Sequence, residues 1–203
     1  MSAFEFVFSL FGLLLGLSLV EVVSGFVRTV KARKRIRLGR LTPLLALFVM
    51  LDLTSFWDNA WEIRDVVPAH VGILFAGLFF TAAYYFAASL VFPDREDEWP
   101  DLDAYFFEHK RQVLGTVFVI QAITLAGLTS LNPELRLQVE PLVIQAIYFT
   151  LLALAFWTKS RRVIIGALGG LIAIYLFIAL VVSFVPQPVP VAGPPIEAER
   201  NSS

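Results

Sequence analysis

The sequence has no cysteine and only two histidines, His70 and His109. Disulfides, thiolate metal sites and cysteine nucleophiles are therefore excluded. Charge is scarce too: Asp, Glu, Lys and Arg make up 16% of the 203 residues, while 58% are hydrophobic, against about 25% charged in a typical soluble domain. With a mean hydropathy of +0.75, the chain suits a bilayer better than water. Long polar segments are also missing. No connection between apolar stretches exceeds about 19 residues, which leaves no space for a separate soluble catalytic domain.

What is present is a series of six apolar stretches, at about 4–27, 41–61, 67–92, 112–131, 141–157 and 163–185. About 20 residues at 1.5 Å rise cross a hydrocarbon core of roughly 30 Å, so each stretch reads as a transmembrane helix. Transmembrane strands would alternate apolar and polar residues in segments of about ten, which these do not. The first stretch lacks the basic start and small-residue cleavage site of a signal peptide and counts as a span. The expected fold class is all-α integral membrane: six transmembrane helices over residues 1–185 and a disordered Pro-rich tail over 186–203.

The cations sort by side. Arg28, Lys31, Arg33, Lys34, Arg35, Arg37 and Arg40 fall in the first connection, Arg95, Lys110 and Arg111 in the third, and Lys159, Arg161 and Arg162 in the fifth, leaving Arg64, Arg136 and Arg200 for the other side. The positive-inside rule then places both termini on the non-cytoplasmic side. The seven cations of the first connection are expected to bind anionic lipid headgroups, and without interleaved aromatics they carry no nucleic-acid signature. The segment DLDAYFFEHKR reads as an N-capped interfacial helix that turns into span four. The acidic connection around it lacks the glycine and terminal glutamate of a calcium loop and reads as solvated.

An ionisable group inside a span costs about 2.5 to 3.5 kcal/mol on insertion scales, so each asks for a reason. Glu21, Asp52 and Asp58 qualify. No Lys or Arg lies deep in any span, although Arg28 could reach back toward Glu21. At 100° per residue, Asp52, Ser55, Asp58, Asn59 and Glu62 form one stripe climbing span two. The favoured reading is a small channel or transporter for protons or monovalent cations, its pathway lined by Glu21, Asp52, Ser55, Asp58, His70, Gln121 and Gln145, with Thr124 and Tyr148 beside them. The alternative is a structural or accessory membrane protein that scaffolds a complex or binds lipid. There the same groups, with Tyr84, Tyr85 and Tyr175, hydrogen-bond between helices. Gly12 and Gly16 on span one, and Gly166 and Gly170 on span six, are four apart and suit close helix packing, within one subunit or in a homo-oligomer.

Enzymatic readings fare worse. No lysine lies inside a span for a retinal Schiff base, and the two histidines fall on opposite sides of the bilayer, away from any shared haem or metal. Ser24 and Ser55 have no histidine at their depth, and no glycine-rich phosphate loop occurs. No enzyme activity, cofactor or metal is expected. The expected partners are the bilayer, anionic lipids and further copies of the chain. Finally, a first span ending in GFVRTVKARKRIRLGR, SFWDNAWEIR in the second, and LVFPD followed by DLDAYFFEHKR together resemble a widespread set of uncharacterised six-span bacterial inner-membrane proteins. The resemblance covers about the first 111 residues and implies a bacterial inner-membrane address without implying any chemistry.

Overall fold

The computed structural model of the chain describes residues 3–62, 71–95, 98–131 and 139–184. They form six α-helices: α1 (Ala3–Lys31), α2 (Leu41–Glu62), α3 (Val71–Ser89), α4 (Leu102–Leu131), α5 (Val139–Trp157) and α6 (Arg161–Phe184). Among the described residues there is no strand, only one isolated bridge between Arg37 and Asp101. Proline enters these helices only near their starts, as Pro43 in α2 and Pro141 in α5, where a missing backbone donor is harmless.

Four helices are long and apolar enough to cross a membrane, over Phe8–Lys31, Leu41–Asp58, Leu102–Ser130 and Arg161–Phe184. The apolar parts of α3 and α5, Leu74–Ser89 and Pro141–Trp157, are shorter: the first falls just short of the roughly 17 to 25 residues a span uses and the second sits at its lower edge. Large apolar side chains such as Leu13, Val20, Phe75, Phe79, Leu176 and Phe184 are exposed on the surface of the bundle. A soluble protein does not carry so much exposed apolar area, whereas lipid requires it. The expected tail over 186–203 lies outside the described residues.

Helix α2 is the centre. It packs on α1, α3, α4 and α6, and the others follow one another around it in the order α1, α3, α4, α5, α6. Its buried arc carries Leu41, Leu45, Phe48, Val49, Asp52 and Leu53, and its opposite side, with Leu47, Thr54 and Asp58, is exposed.

One element corrects the sequence reading. Helix α4 begins at Leu102 and runs unbroken for 30 residues, about 45 Å at 1.5 Å per residue, so no separate interfacial helix turns into span four. No glycine or proline interrupts 102–114, and Phe106, Lys110, Val113, Leu114 and Val117 recur on one buried face. Lys110, assigned to a connection by its charge, therefore lies within α4.

The connections after α1, α3 and α5 meet at one end of the bundle, called here the basic end. The Arg37 N–H donates to the Pro100 carbonyl at 2.9 Å and the Leu102 N–H to the Arg37 carbonyl at 3.1 Å. Asp103 ties three elements together: Oδ1 accepts the N–H groups of Arg40 (3.2 Å) and Leu41 (3.1 Å), and Oδ2 pairs with Arg161 Nη2 at 2.8 Å. The residue before α2 is Arg40, which offers no capping oxygen, so a carboxylate from α4 takes that place. Gly39 makes room for it. Its φ is +59° and a Cβ there would overlap Asp103 Oδ1. Seven residues on, the Lys110 ammonium donates to the carbonyls of Ala155 (3.0 Å) and Thr158 at the end of α5, where the helix dipole favours a cation.

Candidate functional site

Asp52 stands midway along α2 and is fully buried. Four side chains from four other helices converge on its carboxylate. The Tyr84 hydroxyl of α3 donates to Oδ2 at 3.0 Å. Oδ1 receives Gln121 Nε2 of α4 at 2.8 Å, the Tyr148 hydroxyl of α5 at 2.8 Å and the Tyr175 hydroxyl of α6 at 2.5 Å. The hydroxyl oxygens of Tyr148 and Tyr175 are 3.4 Å apart. Aromatic rings close over the group: Phe56 lies 5.1 Å from Tyr84 and Phe48 lies 6.4 Å from Tyr175, centroid to centroid.

The arrangement follows from the helix order. Because α2 is central and presents Asp52 on its buried arc, each neighbour needs only one polar residue at the matching depth. All four donors are uncharged, so the site holds a carboxyl group with hydrogen bonds and no counter-ion. Buried polar groups are tolerated when every oxygen is matched, and both oxygens of Asp52 are. Chemically the site can hold five helices in register.

The other expected pathway residues do not join it. Asp58 lies six residues further along α2, a third of a turn round, and is exposed, while Ser55 between them is half-buried. The stripe read from the sequence thus straddles the edge of the buried arc instead of lining one face of a pore, because α4 and α6, not the polar residues, set which side of α2 turns inward. Glu21 is not isolated. It pairs with Arg28 Nη2 at 3.6 Å, both side chains partly exposed, which realises the reach expected along α1. Gln145 is half-buried on α5. Among the described residues, none of Glu21, Ser55, Asp58 and Gln145 bonds to Asp52. His70 falls outside the described residues, as do the side chains of Asn59 and Glu62.

Of the packing glycines, Gly12 lies against the Trp57 indole, and a Cβ on Gly170 would stand 3.0 Å from Leu151 Cδ1. At Gly16 and Gly166 a Cβ would meet no atom within 4 Å, so within the chain only one glycine of each pair makes a close approach. Two further close approaches escaped notice in the sequence: Gly25 on Phe92, and Gly77 on Phe11. Lys31, Arg33, Lys34, Arg35, Arg37 and Arg40 are exposed at the basic end and Arg28 is half-buried, an arrangement open to anionic headgroups. Among the described residues, no three His, Asp or Glu side chains gather in a way that could hold a metal ion.

Sequence reasoning placed Gln121 and Tyr148 among pathway candidates and Tyr84 and Tyr175 among interhelical bonds. It did not bring the four to one carboxylate, since their separations from Asp52 in the chain run from 32 to 123 residues. Compared with family models, curated proteins and solved structures, the chain matches none.

Proposed function

We propose that this chain is an accessory multi-pass membrane protein, one that scaffolds a complex or organises lipid, and that the Asp52 cluster holds its helices in a single arrangement. The observation that supports this is the complete burial of Asp52 with both oxygens matched by donors from α3, α4, α5 and α6. A permeation site has to exchange its ligand with water, and a carboxyl group with no exposed surface and a full set of donors is poorly placed to do so. The proposed setting is a bacterial inner membrane with both termini on the non-cytoplasmic side, following the thirteen cations of the basic end and the positive-inside rule.

A second reading keeps transport of protons or monovalent cations through Asp52. It is favoured by one feature, the lack of any cationic partner among the four groups that touch the carboxylate, since intramembrane acids without one are often there for a mobile ion. Proteoliposomes separate the two. The accessory reading expects no flux of H⁺, K⁺ or Na⁺ above that of empty vesicles, and an Asp52→Asn variant that melts at lower temperature. Flux by the unaltered protein that disappears in Asp52→Asn, with assembly intact, overturns it in favour of transport.

A further inference from the structure

Burial in this bundle stops at one level. Going from the basic end toward the opposite end, the last buried side chain is Leu15 in α1, Leu53 in α2, Thr81 in α3, Ile120 in α4, Tyr148 in α5 and Ile172 in α6. Leu15, Leu53 and Ile120 pack together with Tyr84, and Tyr84 and Tyr148 bond to Asp52, so the limit coincides with the carboxylate. Beyond it no described side chain is buried. Every residue over 176–184 is exposed, about two and a half turns of α6 with no side turned against the chain. Of 141–147 in α5, only Gln145 is even half-buried.

Two groups of helices differ beyond that level. In α1, α2 and α3 aromatic rings keep the ends together: the Trp57 indole lies on Gly12 and 4.7 Å from the Phe8 ring, Phe11 lies on Gly77, and Phe56 is 5.7 Å from Phe80, centroid to centroid. In α4, α5 and α6, among the described residues, the side chains of 122–130, 141–147 and 176–184 make no ring contact and no hydrogen bond to another helix. Thr129, Ser130 and Ser183 bond only within their own helices. What ties these three helices at the limit of burial is one atom. Asp52 Oδ1 accepts Gln121 of α4, Tyr148 of α5 and Tyr175 of α6, while Oδ2 accepts Tyr84 of the aromatic-tied group. Helices in lipid associate by packing and by interhelical hydrogen bonds, so where burial ends the Oδ1 bonds are the last strong tie. We propose that Asp52 Oδ1 is the joint of a conformational device, about which the ends of α4, α5 and α6 far from the basic end swing against a fixed α1, α2 and α3. The basic half stays closed throughout, as expected where local stability follows the density of buried contacts. The inference rests on the reading that the Asp52 cluster holds the helices, and adds which part of each helix it restrains.

The test uses the full chain in lipid nanodiscs, spin-labelled at cysteine pairs and frozen for pulsed electron resonance, so that the spread of distances reports the ensemble. Leu13→Cys with Leu180→Cys, and Leu13→Cys with Val143→Cys, span the loose half. Val27→Cys with Val163→Cys spans the basic half, and all five positions are exposed. The two loose-half distributions should be about twice as wide as the basic one. Asp52→Ala, and more mildly Tyr175→Phe, should widen the loose-half pairs further and leave the basic pair unchanged. Equal widths in the unaltered protein, or widening of all pairs alike, overturns the joint. A Leu180 pair that is wide while the Val143 pair is narrow reports fraying of the last helix and overturns it too. Widths and melting temperature both unchanged in Asp52→Ala remove the holding role of the cluster as well, whereas lower melting with uniform widening removes the joint alone.

Discussion

The donors turned toward Asp52 share its two carboxyl oxygens as acceptors, so every one of them loses its partner when that residue is truncated. Asp52→Ala leaves three hydroxyls and an amide facing a cavity, and should lower stability by about 3 kcal/mol, read from thermal melting in detergent. Tyr84→Phe, Tyr148→Phe and Tyr175→Phe each remove one bond and should cost about 1 kcal/mol apiece. Combined with Asp52→Ala they should add almost nothing, because their common acceptor is already gone. Glu21→Gln is the contrast: its pair with Arg28 is partly solvated, and the change should stay below about 1 kcal/mol. The sequence revealed Asp52 as an anomaly, because one acid in an apolar run is visible to anyone counting charges. It did not reveal the solution, because Tyr84, Gln121, Tyr148 and Tyr175 are ordinary residues whose meeting depends on how deeply and in what rotation five helices pack.

Among the elements, α4 differs most from expectation. Charge in DLDAYFFEHKR looked like an end to the apolar span, yet Asp103 and Lys110 are spent on neighbouring helix ends, and the helix passes through. Asp103→Ala removes the cap of α2 and the partner of Arg161, and should cost about 1 to 2 kcal/mol in thermal melting. Arg161→Gln removes only a half-exposed pair and should cost less than about 1 kcal/mol. Their difference isolates the cap. Helix existence and eight of the twelve starts and ends, to within two residues, were legible from apolar runs and from proline placed at the first turns. What was illegible is capping by a residue some 60 positions away, since a cap is sought beside its helix.

For the whole molecule, the absence of cysteine makes topology directly measurable by single-cysteine labelling without background. Lys34 lies in the connection after α1 and Arg162 in the first turn of α6, both at the basic end. Lys34→Cys and Arg162→Cys should therefore react with a membrane-impermeant maleimide from the same face of oriented vesicles, which under the proposed topology is the cytoplasmic one. Labelling of the two from opposite faces would contradict the arrangement of the helices. Chain order adds a further consequence. Tyr84, Gln121, Tyr148 and Tyr175 follow Asp52 by 32, 69, 96 and 123 residues, so a ribosome delivers the acid long before its last companion. Early intermediates must carry Asp52 half-served, sheltered by insertion machinery or water. Only synthesis of α6 completes the set of four donors around that acid.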